Sequence, residues 1–209
     1  ADAVVKIEDV KASPDKTITL TQPVPAKEFI RQKAAIIHEG ELLLKPGIAI
    51  RPYEIALMAA IGVSSVFVFK RPIVAILSTG DELADIHEAR KPHQIYNSNG
   101  YALAAQVTES GGVPLFLGIA KDNWEDLTAK LKKAADADFI LLSGGVSVGD
   151  YDIVKEVLVM KFWKVAMRPG KPLAFGRLDG KIAFGLPGYP VSAMVPFNQF
   201  VRPALLLSQ

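Results

Sequence analysis

From Arg71 onward the hydrophobic positions follow two alternating periods. Residues 73–77, 113–119 and 139–142 are short apolar runs bounded by turn residues, the pattern of strands, and 139–142 reads as a buried parallel one. Between them, residues 98–110 form a helical stretch ended by Gly111-Gly112, and residues 124–135 place Trp124, Leu127 and Leu131 on one helical face. A further strand is predicted over 181–185, then a final helix from Val191 with Met194, Phe197, Val201 and Leu205 at core spacing. This order predicts an α/β fold: a doubly wound, mostly parallel sheet with helices on both faces and ligands collecting at the C-terminal ends of its strands.

Before Arg71 the pattern predicts a small β and linker segment. Residues 16–20 alternate as a half-buried strand, Ser13-Pro14-Asp15 has turn chemistry, and Val4, Val5 and Ile7 open an apolar strand-like stretch. Such a strand pair is marginal alone, so its apolar face, with Ile18 and Leu20, needs a partner. Pro23-Val24-Pro25 reads as a stiff linker, residues 28–37 as extended or briefly helical, and residues 40–47 as a strand closing in a turn. Pro52 opens a helix that carries Ile55, Met58 and Ile61 to a stop at Gly62. The expected division is 1–26, 27–70 and 71–209, and a chain opening at Ala1 inside an apolar pattern reads as cut.

The chain has 209 residues, half of them hydrophobic, enough for a sizeable core. A net charge of +2 argues against nucleic acid or an anionic membrane as partner, so a basic site must be local. No run reaches the ~18 apolar residues of a membrane span, and no signal-peptide pattern opens the chain, so a soluble cytoplasmic protein is expected. With no cysteine there is neither a disulfide nor a thiolate centre, and His38, His87 and His93 lack metal-ligand spacing.

The richest stretch is Ser143-Gly144-Gly145-Val146-Ser147-Val148-Gly149-Asp150-Tyr151-Asp152, between the strand at 139–142 and a helical pattern in which Ile153, Val154, Val157 and Leu158 share a face. Glycines let backbone approach a ligand, and a helix N-terminus presents free N–H groups, so phosphate is the natural guest. Asp150 and Asp152 would repel bare phosphate unless a divalent cation intervened. The alternative is a tight turn with two helix-capping aspartates. Carboxylates also follow two other strands, Asp81 and Glu82 after 73–77 and Asp122 after 113–119. Each alone reads as a cap or a turn residue, but three strand ends delivering carboxylates to one edge favour a hard cation such as Mg²⁺. Lys164 and Arg168, four apart on an expected strand, and Lys171 beyond Pro169-Gly170 form a compact anion site or a solvated charged edge.

The 143–152 loop resembles that of the molybdopterin molybdenumtransferase family, the gephyrin E-domain type. Thr79-Gly80-Asp81-Glu82-Leu83, Asn97-Ser98-Asn99, Arg168-Pro169-Gly170-Lys171-Pro172 and Leu186-Pro187-Gly188-Tyr189-Pro190 are similar to that family's other motifs, in its order. The resemblance implies insertion of molybdenum from molybdate into adenylylated molybdopterin with release of AMP, dependent on Mg²⁺. It assigns Glu82, Asp122 and Asp152 to the metal and Lys164, Arg168 and Lys171 to phosphate and oxyanion. It places Thr79, Gly80, Ser143, Gly144, Gly145, Ser147, Gly149, Pro187, Gly188 and Pro190 around the cofactor. It makes 1–26 the end of a small β domain in a chain shortened at both ends, and it implies a homodimer with shared sites.

Three positions depart from the family pattern. Ile36 stands where an aspartate is usual, Arg168 where lysine is frequent, and Tyr189 where asparagine is common, its ring either stacking on a pterin or filling space. Two rival readings remain: a molybdopterin adenylyltransferase of the same fold, disfavoured because Gly144-Gly145-Val146-Ser147 replaces that family's Gly-Gly-Thr-Gly, and a non-catalytic molybdopterin-binding module, favoured by Ile36 and the short ends.

Overall fold

A computed structural model describes residues 1–145 and 159–209 in two compact units, Ala1–Ser64 and Ser65–Gln209. The expected helix face at Ile153, Val154, Val157 and Leu158 lies outside the described residues.

In the first unit, β1 (Val10–Ala12) and β2 (Ile18–Leu20) form an antiparallel pair with Val10 opposite Leu20. Their turn is held by Asp15, whose carboxylate accepts from the Thr17 hydroxyl at 2.7 Å. Residues 4, 5 and 7 are not strand. Val4 donates its N–H to the Glu28 carbonyl, and a 3-10 turn occupies Ile7–Asp9. The expected strand over 40–47 is absent, because among the described residues no strand offers it a ladder. Residues 28–37 are turns rather than an extended or helical run, since Phe29 (φ 50°) and Ala34 (φ 63°) interrupt either repeat.

Helix α1 (Pro52–Ala60) forms as expected, with Pro at its first position. The Glu54 carboxylate reaches back to the Arg51 backbone N–H (2.8 Å) and pairs with its guanidinium (2.6 Å). At the other end Gly62 (φ 77°) lets its own N–H bond the Ala59 carbonyl and the Val63 N–H bond that of Met58, closing the helix.

The second unit is built on a sheet of strand order β6-β3-β7-β10-β9-β8. Its strands are β3 (Ile73–Thr79), β6 (Val113–Ala120), β7 (Phe139–Ser143), β8 (Val159–Trp163), β9 (Ala174–Leu178) and β10 (Lys181–Leu186). β6, β3, β7 and β10 are mutually parallel, and β9 and β8 add antiparallel strands at one edge. The mostly parallel α/β expectation is met. β9 follows from Asp179-Gly180, both at positive φ (50° and 81°), a tight hairpin turn into β10.

Strand alternation divides the core in two. Ala75, Leu77, Ile140 and Leu142 face α3 (Trp124–Leu131) through Leu127 and Leu131. Val74, Ile76, Phe139 and Leu141 face α2 (Ser98–Glu109) through Leu103 and Val107. The last helix completes that second layer with Phe197, Val201 and Leu205. It is interrupted: α4 (Pro190–Pro196) passes through a π-helical turn at Phe197–Val201 into α5 (Arg202–Leu207). Pro203 has no N–H to continue the regular ladder, and Arg202 N–H bonds the Phe197 carbonyl five residues back.

The Arg51 pairing holds the Glu54 carboxyl at about 2, below its ordinary 4.5. A depressed carboxyl stabilises the fold above the unfolded value, and that contribution is lost as pH falls through the folded one. The urea midpoint of α1 helicity therefore falls between about pH 4.5 and 2 in the wild type and falls less in Glu54→Gln, as followed by circular dichroism.

Candidate active site

The chain leaves β3 through α2 to β6 on one side, then returns through α3 to β7 on the other. The order of strands thus reverses between β3 and β7, which is where α/β sheets open a crevice. Register brings the strand ends level: Thr79 stands opposite Ala120, Ser78 opposite Ser143, and Leu186 opposite Ser143. A cavity of about 990 Å³ lies there in the second unit.

Its wall brings together most of the expected residues. Thr79, Gly80, Glu82, Asp122, Ser143, Gly144, Gly145, Pro187, Gly188 and Pro190 all line it. Gly144 (φ 93°) has no room for a side chain, since a Cβ would stand 2.6 Å from the Thr79 carbonyl oxygen, so the ends of β3 and β7 close against each other only with glycine there.

The carboxylates are placed by their turns. Asp81 and Asp122 each accept from the other's backbone N–H at 3.3 Å, tying the β3 and β6 loops. Asp126 braces the second loop by accepting from the Lys121 N–H (2.8 Å) and pairing with Lys130 (2.9 Å). Those two contacts, in that order, hold its carboxyl below the usual range. Glu82 is anchored through its backbone, whose carbonyl accepts from Ile95 N–H as β4 (Leu83–Ala84) pairs with β5 (Ile95–Tyr96). Among the described residues no group of three metal-ligating side chains converges. Ser147, Gly149, Asp150 and Asp152 lie outside the described residues.

The basic residues are placed differently. β8 ends at Trp163, and Lys164 at φ 71° turns the chain, so Lys164 and Arg168 do not share a strand face. The turn is fastened by Lys164 N–H to the Leu173 carbonyl and Val165 N–H to that of Lys171. Lys164 Nζ lies 3.8 Å from the centre of the Trp163 ring, a cation–π contact. None of Lys164, Arg168 and Lys171 is part of the cavity wall, although Pro172, next to Lys171, is.

Sequence reasoning recognised Asn97-Ser98-Asn99 as a motif but gave it no role. Asn97 caps α2 by accepting from Gly100 N–H (3.0 Å) and accepts from the Ser78 hydroxyl (2.9 Å). Asn99 donates to the Ser143 hydroxyl (2.9 Å) and the Gly188 carbonyl (2.7 Å). The signal was two amides at a helix start facing serines that end two strands. Thr79 Oγ1, Asn97 Nδ2 and Asn99 Oδ1 are buried without a partner, polar capacity in the cavity wall that a hydrogen-bonding ligand can complete.

Residues 75–206 match the family model described as "Probable molybdopterin binding domain". The chain belongs to this molybdopterin-binding family. Residues 1–62 match the "MoeA N-terminal region (domain I and II)". A relative named molybdopterin molybdenumtransferase from a Nostoc species is 43% identical over 98% of this chain and 49% of its own length. One of the same name from Haemophilus influenzae is 35% identical over 98% and 52%. The solved molybdopterin biosynthesis MoeA protein from Pyrococcus horikoshii superposes with a TM-score of 0.82 at 37% identity, covering 99% of this chain and 53% of that one. The expected family resemblance is thus met, and the chain spans about half the length of the curated relatives it matches. Among the described residues no helix is long and apolar enough to cross a membrane.

Asn99→Ala leaves the Ser143 hydroxyl and the Gly188 carbonyl without their donor. A loss of roughly 1–3 kcal/mol in urea unfolding is expected for buried hydrogen bonds left unmade.

Proposed function

We propose that this molybdopterin-binding chain carries the catalytic surface of a molybdopterin molybdenumtransferase, which takes adenylylated molybdopterin and molybdate to molybdenum cofactor and AMP. The observation that carries the reading is the cavity at the strand-order reversal. One wall joins the glycine turns at Gly80, Gly144-Gly145 and Gly188 to the carboxylates Glu82 and Asp122. Backbone that approaches a ligand closely supports the phosphate and pterin, and the unpartnered Thr79, Asn97 and Asn99 groups add neutral hydrogen bonds.

Glu82 and Asp122 fit Mg²⁺, which is commonly held by one or two carboxylates with water and substrate phosphate oxygens completing its shell; Asp152 is the third assigned ligand. Bound there, the cation would neutralise charge on the phosphate bridge. The protein's own work is electrostatic. Glu82 and Asp122 would hold the cation, and Lys171, beside the wall residue Pro172, supplies positive charge to phosphate or molybdate together with Lys164 and Arg168. No covalent nucleophile is needed.

Incubation of the chain with adenylylated molybdopterin, molybdate and Mg²⁺ is expected to release AMP. Asp122→Asn is expected to lower that release by at least about tenfold, on the order of 1.4 kcal/mol of lost transition-state stabilisation, with folding unchanged by circular dichroism. Binding without release favours the second reading, a carrier module, which the 66% exposed Ile36 supports as a hydrophobic side chain where the resemblance implies a carboxylate.

We further propose a homodimer, supported by the uncovered apolar side chains of the first unit: Ile7 is 83% and Ile18 65% exposed. Sedimentation at micromolar concentration is expected to give a dimer, and Ile18→Lys to shift it towards monomer. A monomeric wild type overturns the assembly.

A further inference from the structure

Two tyrosines in the cavity wall are left open to solvent in part. Tyr189 is 71% exposed and Tyr96 45%. Among the described residues neither hydroxyl makes a hydrogen bond and neither ring meets another. A side chain that fills space is covered, so the exposure of Tyr189 is at odds with a packing role.

Both rings stand on backbone that is already fixed. Asn99 donates to the Gly188 carbonyl at 2.7 Å, and that oxygen belongs to the peptide plane leading into Tyr189. The Tyr189 carbonyl then accepts from Ala193 N–H (3.0 Å), and Pro190 restricts the next turn. Tyr96 pairs with Ala84 across β4 and β5, and Asn97 N–H bonds the Ala84 carbonyl at 3.0 Å. A tyrosine on rigid backbone has two side-chain torsions to lose on binding, which makes it a low-entropy contact surface. The neighbouring wall residues Leu83 and Ile95 are apolar.

We propose that Tyr189 and Tyr96 form an aromatic mouth that takes a planar heteroaromatic ring of the substrate by stacking and so sets specificity at this end of the cavity. This rests on the reading of the cavity as a nucleotide and pterin site. Stacking uses the π-face that any such ring presents, so adenine and pterin share the chemistry. Separate ligands tell them apart.

Titration calorimetry with AMP, 6-hydroxymethylpterin and ribose 5-phosphate tests the mouth in the whole chain. Tyr189→Ala and Tyr96→Ala are each expected to weaken one ring ligand at least about fivefold, while ribose 5-phosphate binds all variants alike. Tyr189→Phe keeps the ring and is expected within about twofold of wild type. Weakening of AMP alone identifies adenine as the stacked ring, and of 6-hydroxymethylpterin alone the pterin. The proposal is overturned if both alanine variants bind both ring compounds as the wild type does, or if the wild type binds neither. AMP release by the wild type with ring affinities unmoved sinks the tyrosine mouth and leaves the catalytic reading standing. Tyrosine-dependent ring binding without AMP release does the reverse.

Discussion

The hydrogen bonds from Asn99 to Ser143 and Gly188 are the constraint on which the site depends. The apolar layer between sheet and α2 runs up through Val74, Ile76, Phe139 and Leu141, and at the strand ends it gives way to Ser78 and Ser143. Buried hydroxyls at that depth need partners, and the amides of Asn97 and Asn99 supply them. The same contacts therefore end the core and begin the cavity. Since Asn99 also reaches the Gly188 carbonyl, one side chain fixes the helix start, the end of β7 and the Pro187-Gly188 turn together.

The other two loops are fastened by backbone rather than by core. Gly80 N–H bonds the Ala120 carbonyl, and Asp81 and Asp122 bond each other's N–H groups, so the β3 and β6 turns form one body carrying carboxylates. Lys164 rests on the Trp163 ring, so its charge is held at a set place on the segment that leads to Lys171 and Pro172.

Much of the second unit was legible because its elements are long and their periods unambiguous. The run Phe139-Ile140-Leu141-Leu142, bounded by turn residues, has the pattern of a buried strand, and Trp124, Leu127 and Leu131 recur at three and four residues, the helical period. Short exposed pieces were not legible. Residues 40–47 carry strand-like composition, but a strand exists only where another offers its edge, and among the described residues none does. β9 escaped notice although Asp179-Gly180 is a strong hairpin signal, and the Lys164 turn escaped because positive φ at a lysine leaves no mark in composition.

The sequence by itself determined the fold class, the order of its strands along the chain and the residue types at each strand end, since burial pattern and glycine placement are local properties. It also carried the family, through motifs whose spacing survives without any structure. Only the tertiary structure decided which strand ends become neighbours. The strand order β6-β3-β7-β10 places Thr79, Ser143 and Leu186 side by side though they are far apart in the chain, because pairing is chosen by long-range packing and crossover handedness. It decided too that Asn99 is a brace and that Tyr189 stays open to solvent, since hydrogen-bond partners and exposure belong to neighbours in space.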